Sequence, residues 1–237
     1  MTDTLLTVNG LNAFYGRAQI LFDVALTVCR GEVVALMGRN GAGKSTTFKA
    51  LMGHLDHVSG EMVFAGHDIR GLPTHRIARL GLGFVPEDRR IFTDLTVMEN
   101  LLVGRRAKRP ELPEWTPAAL FEVFPNLAEA RNRSAARMSG GEQQMLTVAR
   151  TLMGNPLLVL LDEPSEGVSP VIVDAMVNMI RTIKAQGVAI LLSEQNLHFA
   201  RAVSDRAYVI EKGHIRYSGS MAELSNDETV RRNYLTL

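Results

Sequence analysis

Val33-Val34-Ala35-Leu36-Met37 runs directly into Gly38-Arg39-Asn40-Gly41-Ala42-Gly43-Lys44-Ser45, and the segment from Ser45 to Met52 then reads as a helix stopped by Gly53. A continuous apolar run of this length suits a strand buried on both faces, as in a parallel sheet covered by helices. The residues after it fit the pattern G-x-x-x-x-G-K-[ST]. Glycines at those positions let backbone N–H groups close around phosphate oxygens, while the helix N-terminus adds its partial positive charge. In such a loop Lys44 reaches the terminal phosphates of a nucleotide and the Ser45 hydroxyl coordinates Mg²⁺. A plain glycine-rich turn is the competing reading, and the order strand, loop, helix weighs against it.

Outward from this segment the chain predicts an α/β fold of the P-loop type, with a parallel core, an antiparallel β flank and a helical insertion. Leu5–Val8 and Val24–Val28 are rich in β-formers and are separated by the turn-prone Phe14-Tyr15-Gly16-Arg17. A second hairpin-like element is expected around Glu61–Ala65, between Gly60 and Gly66. From about residue 88 to 150 the pattern becomes helical, with Pro110, Pro113 and Pro117 marking a loop and Pro125 ending the next helix. Three buried strands follow, at Leu157–Leu161, Val188–Ser193 and Ala207–Glu211. Between the first two, Ser169 is placed as an N-cap with Pro170 at the first helical position, and Ile172, Met176, Met179 and Ile183 form an apolar stripe. The expected organisation is one domain over 1–237, in which 1–87 and 151–237 make the core and 88–150 the helical lobe.

Composition narrows the partners. Lys+Arg 26 against Asp+Glu 25 leaves a formal charge of +1, so no strong global field attracts nucleic acid or acidic lipid. The single cysteine, Cys29, rules out an internal disulfide and reads as a small filler beside a strand. Met1–Gly10 lacks the basic start and apolar stretch of a signal peptide, and no apolar run approaches the ~20 residues of a membrane helix. The expectation is a cytoplasmic protein that meets a membrane through partners. The histidines lack metal-ligand spacing.

Two further segments carry chemistry. Leu157-Leu158-Val159-Leu160-Leu161 ends in Asp162-Glu163-Pro164, which puts two carboxylates at the carboxyl edge of the sheet, where α/β folds bind ligands. Asp162 is assigned to holding Mg²⁺ through its water shell and Glu163 to polarising an attacking water. Met138-Ser139-Gly140-Gly141-Glu142-Gln143 opens a helix with the apolar stripe Met145, Val148, Ala149 and Leu152. Ser139 and Glu142 fit a capping box. Gly140 and Gly141 are poor choices for a first turn unless that turn must approach a phosphate closely.

Phosphate loop, SGG segment and LLDEP, in that order, resemble the nucleotide-binding subunit of an ABC transporter, and the resemblance spans essentially the whole chain. It implies ATP and Mg²⁺ as ligands, and a head-to-tail dimer with two ATP molecules at the interface. Closing and opening of that dimer would drive integral membrane permease subunits. It also implies that Tyr15 stacks on adenine, that Ser139, Gly140 and Gly141 contact the γ-phosphate of ATP on the opposite subunit, and that Ser165–Pro170 crosses the dimer interface. The nucleotide-binding set is then Tyr15, Gly38, Arg39, Asn40, Gly41, Ala42, Gly43, Lys44, Ser45, Thr46, Glu87, Ser139, Gly140 and Gly141. The catalytic set is Glu163, Lys44 and Gln195, and the metal ligands are Ser45 and Asp162.

Two positions depart from the general family pattern. Glu87 stands where the loop joining core and lobe usually carries Gln, and Gln195 stands where a switch histidine is expected. Gln can donate a hydrogen bond to a phosphate but cannot shuttle a proton as His does. His198 is close in sequence but should project differently. The combination VPE-DRR, MSGGEQQM, DEPSEG and SEQN is similar to the second ATP-binding subunit of high-affinity branched-chain amino-acid importers, which work as unlike pairs fed by a periplasmic or extracellular solute-binding protein. Urea, amides or aromatic acids are alternative solutes. A soluble ABC-type ATPase of translation or DNA repair and a small-molecule P-loop kinase are alternative functions; the latter leaves the SGG helix unexplained. Arg105-Arg106-Ala107-Lys108-Arg109 reads as a solvated loop or a contact with acidic headgroups. Phe92–Leu101 borders, by resemblance, the groove that receives a permease helix, with Phe92 and Leu95 assigned to packing the lobe. Glu223–Leu237 reads as a helical tail.

Overall fold

Strand β3 (Val33–Met37) divides its side chains between two apolar cores: Val33, Ala35 and Met37 join one, Val34 and Leu36 the other. Successive side chains of a strand point to opposite faces, so an unbroken apolar run demands cover on both sides. In the computed structural model, which describes residues 3–235, that cover is provided by helices on one face and a second sheet on the other. The first two residues of the amino-terminal stretch and the last two of the expected helical tail lie outside the described range.

The main sheet also contains β6 (Leu82–Val85), β7 (Leu158–Asp162), β8 (Ala189–Glu194), β9 (Arg206–Glu211) and β10 (His214–Ser220), in the order β10-β9-β3-β8-β7-β6. All neighbours are parallel except β9 and β10, which form a hairpin. The second sheet is antiparallel, in the order β2-β1-β4-β5, from β1 (Thr4–Tyr15), β2 (Ala18–Cys29), β4 (His57–Phe64) and β5 (His67–Asp68). Helix α1 (Lys44–Leu51) contributes Phe48 and Leu51 to the core between the two sheets.

Helices α3 (Val97–Gly104), α4 (Pro117–Val123), α5 (Pro125–Glu129) and α6 (Gly140–Leu152) gather on the other side of the main sheet. Met145, Val148, Ala149 and Leu152 are buried as the stripe on α6 predicts, and Met176, Met179 and Ile183 of α7 (Pro170–Ala185) are buried with them. Helix α2 (Thr74–Leu80) precedes β6, α8 (Leu197–Val203) follows β8, and α9 (Met221–Asn226) follows β10. Among the described residues no helix is long and apolar enough to cross a membrane.

Several expectations change. The two short N-terminal strands are parts of strands of 12 residues each, because Gly10 at φ +61 and bulges around Asn9–Asn12 absorb residues that disfavour strands. Asn12 Oδ1 secures the irregular stretch by accepting from Gln19 Nε2 at 2.8 Å and the Asp23 N–H at 3.1 Å. Just before Glu87, Leu82–Val85 form the edge strand β6, which the sequence pattern does not announce. Pro117 opens α4 rather than lying in a loop, and Pro125 both follows α4 and opens α5, since proline suits the first helical turn. Arg109 is a strut rather than a solvated charge: it donates to the carbonyls of Asn155 (2.7 Å) and Arg79 (2.8 Å). Phe92 does not pack into the lobe; it is 48% exposed, with the Arg150 guanidinium 5.0 Å from its ring centre. Leu95 is half-buried.

Candidate active site

Parallel pairing brings the carboxyl ends of three strands together. Met37 is in register with Glu194, and Asp162 with Ser193. The phosphate loop leaves the end of β3, so these strand ends and the start of α1 share one edge of the sheet. Gly43 at φ +114 caps α1 with no side-chain hydrogen bond, and a side chain there would strike Leu21, 2.8 Å from the position its Cβ would take. Only glycine satisfies both constraints. Arg39, Asn40 and Gly41 are exposed at the loop's crest, Gly38 and Ala42 are buried, and Thr46 lies half-buried in the first turn of α1.

Lys44 is 3% exposed and turns inward. Its ammonium donates to the carbonyls of Gly38 (2.7 Å) and Arg39 (3.0 Å), and Glu163 Oε1 lies 3.0 Å away. The Ser45 hydroxyl donates to Asp162 Oδ1 at 3.1 Å, and the buried Ser193 hydroxyl donates to the same oxygen at 2.6 Å. Burial pushes the Asp162 carboxyl above its ordinary value, against the pull of those two hydroxyls.

Glu163 has φ +46, a conformation costly to a non-glycine residue. Its N–H donates to the Ser193 carbonyl (3.2 Å) and hydroxyl oxygen (3.0 Å), which hold the strained residue at the end of β7. Glu163 Oε2 is buried and meets no donor among the described residues. A protonated Glu166 would supply one: hydrogen bonding to Glu163, partial burial, and the charges of Glu163 and Glu87 raise Glu166 to about 7. Lys44, Ser45, Asp162 and Glu163 thus meet in one cluster. Glu87, exposed after β6, lines a pocket of about 310 Å³ with Ser45, Asp162, Lys49 and His54.

The remaining candidates lie elsewhere. Tyr15 is 45% exposed at the turn of the β1–β2 hairpin, the hairpin whose Leu21 touches Gly43. Gln195 is exposed just beyond β8, and His198 is exposed in the first turn of α8. Ser139, Gly140 and Gly141 begin α6, where the nearest neighbours of the glycines are Arg89 and Ile172 rather than the phosphate loop. Gly141 has an intramolecular reason as well as a ligand-based one. A Cβ there would fall 2.7 Å from Ile172 Cγ1, so close packing of α6 on α7 itself requires glycine.

Sequence reasoning passed over Ser193 and Glu194. Both are buried polar residues ending a strand that is otherwise apolar. That abrupt change from Leu192 to two polar side chains, beside an edge already assigned to ligand chemistry, is the signal that could have found them.

Residues 21–166 match the family model described as ABC transporter. The chain is 41% identical to the high-affinity branched-chain amino acid transport ATP-binding protein BraG of Pseudomonas aeruginosa, covering 98% of this chain and 99% of that protein. It is 36% identical to the lipopolysaccharide export system ATP-binding protein LptB of Escherichia coli K12, covering 98% and 97%. A solved structure of the ADP conformation of MJ1267, an ATP-binding cassette of an ABC transporter, superposes with a TM-score of 0.82 at 26% identity, covering 98% of each chain.

Proposed function

The chain belongs to the ABC transporter family as an ATP-binding, ATP-hydrolysing subunit, and from that premise we propose that it powers an importer of branched-chain amino acids. One observation carries the mechanistic part: Lys44, Ser45, Asp162 and Glu163 converge at the sheet edge, while the Ser139–Gly141 segment stands apart from them on α6. One chain then holds ATP on its phosphate loop, and a second chain brings its SGG turn to close the site. Residues 88–150 act as the helical lobe on a core of 1–87 and 151–237.

On ATP binding, Lys44 exchanges the Gly38 and Arg39 carbonyls and Glu163 for phosphate oxygens. Released from Lys44, Glu163 accepts a proton from the attacking water, a role worth about 10²–10⁴-fold in rate. Backbone N–H groups of Gly41–Ser45 and the α1 N-terminus hold the phosphates, since positioning and charge stabilisation dominate phosphoryl transfer. Gln195 donates to the γ-phosphate, Tyr15 stacks on adenine, and Glu87 faces the Ser45 side of the site. Hard oxygen donors at Ser45 and Asp162, already turned to each other at 3.1 Å, fit Mg²⁺. Bound there, the ion would neutralise phosphate charge.

The groove of about 400 Å³ lined by Phe84, Phe92, Val103 and Arg150 supports docking of a permease helix, with Phe92 and Val103 roughly half exposed beside it. Partners are integral membrane permease subunits met at the cytoplasmic face, a second ABC ATPase subunit, either a different chain or a copy of this one, and indirectly a solute-binding protein; nucleic acid is not among them. The importer reading rests on the likeness to BraG and on Gln195 in the SEQN pattern. Near-equal coverage of LptB favours a second reading, lipopolysaccharide export.

Two measurements test these readings. In Glu163→Gln, turnover should fall by about a hundredfold with ATP affinity retained; unchanged turnover removes Glu163 from the chemistry. Loss of leucine-type uptake on deletion supports import. Unchanged uptake with lipopolysaccharide held at the inner membrane supports the second reading.

A further inference from the structure

Glu194 closes β8 at 1% exposure, and its charge is spent on backbone rather than on a cation. Oε1 accepts the Ser165 N–H at 3.0 Å, while Oε2 accepts the N–H groups of Gln195 (3.2 Å) and Asn196 (3.1 Å). Its own carbonyl accepts the Gly38 N–H at 3.1 Å, where the phosphate loop begins. One buried residue therefore touches three separate segments: the loop start, the turn after Glu163, and the turn bearing Gln195.

We infer that Glu194 is a positioning residue that couples the Ser165 segment to Gln195, so that movement of one imposes movement on the other. A neutral side chain could cap one of these turns. A carboxylate, with two oxygens each able to accept more than one hydrogen bond, can hold both at once. Burial keeps water from replacing either bond, so the link is stiff. The consequence for catalysis rests on the dimer reading above. If Ser165–Pro170 crosses to a second subunit, arrival of that subunit is transmitted through Glu194 to the side chain that senses the γ-phosphate. Such a route needs no proton transfer and so suits a switch position occupied by Gln.

The link is tested on the full-length chain by amide hydrogen exchange in Glu194→Gln, read separately over peptides containing 165 and 195–196. Gln keeps the volume but has one acceptor oxygen and a donor that faces N–H groups. Exchange should rise in both segments by about tenfold or more, the equivalent of a lost charged hydrogen bond, while β3 and β7 stay protected. A rise in one segment alone, or in neither, overturns the coupling; so does a uniform rise across the molecule, which would mark a merely structural role.

Steady-state kinetics, in the chain or its assembled transporter, add the functional readout. Glu194→Gln should lower kcat about tenfold or more and leave ATP affinity within about twofold. A loss of affinity without loss of kcat overturns the assignment. Glu163→Gln measured in parallel separates the two levels: if it still hydrolyses ATP fully, the proposed chemistry fails, and the exchange result still decides the link.

Discussion

Helices α1 and α6 both begin on glycine-rich segments, yet their first turns are served differently. Gly43 caps α1 with no side-chain bond, which leaves the backbone donors of the turn to a ligand. Ser139 caps α6 with a complete capping box. Its hydroxyl accepts the Glu142 N–H at 3.3 Å, Glu142 Oε2 accepts the Ser139 N–H at 2.7 Å, and Arg133 pairs with Glu142 from outside. Partial burial works against charge on Glu142, but these partners hold its carboxyl below the ordinary value. The contrast supports the proposal that α1 receives an anion through its backbone. The first turn of α6 is already satisfied, and what remains is the exposed Ser139 beside the half-buried Gly140 and Gly141, a surface it can offer to another molecule.

The largest effect that would break this contrast is at Lys44. Lys44→Ala should weaken ATP binding by about a hundredfold or more, because the loop loses its one buried cation. It should also destabilise the fold by about 3 kcal/mol, since Glu163 is left buried and unpaired. Denaturant unfolding checks the second point, and adding Glu163→Gln should recover stability without recovering binding.

Ser139→Ala sharpens the other side. Losing the cap should cost about 1 kcal/mol in unfolding experiments. ATP binding to the isolated chain, followed with a fluorescent analogue, should stay unchanged if α6 serves a second subunit's site. Weakened binding in a monomer would place α6 in the same site as α1.

The smallest expected effect is a pH dependence. Glu166 is raised to about 7, above its unfolded value, so the folded chain holds the extra proton between the two. Stability tied to that proton is complete below the unfolded carboxylate value and is lost as pH rises through about 7. Thermal midpoints without nucleotide should therefore decline from about pH 5 to about pH 8, and Glu166→Gln should flatten the decline. A decline of equal slope in the variant would assign it to another group.

Much of this architecture was legible because it is local. An apolar run, a glycine loop and a helix stop define β3, the phosphate loop and α1 within one stretch of chain, and Ser139 with Glu142 three residues on announces the start of α6. The reading faltered where a neighbour in space decides the outcome. Leu82–Val85 is too short and mixed to declare itself a strand, and becomes one by pairing with β7. Phe92 looks like core from its type, but the fold turns it toward a groove and Arg150.

By itself, then, the sequence determined the strand–loop–helix order, the caps, and the placing of Asp162 and Glu163 at a strand end, all properties of residues a few positions apart. Tertiary structure alone decided that Lys44 turns to Glu163, that Ser193 holds Asp162 and the strained Glu163, and that Glu194 gathers three segments. Those contacts depend on the parallel register of β3, β7 and β8, strands far apart in the chain. Register is set by how two cores pack against both faces of the sheet, a balance that no single stretch of residues contains.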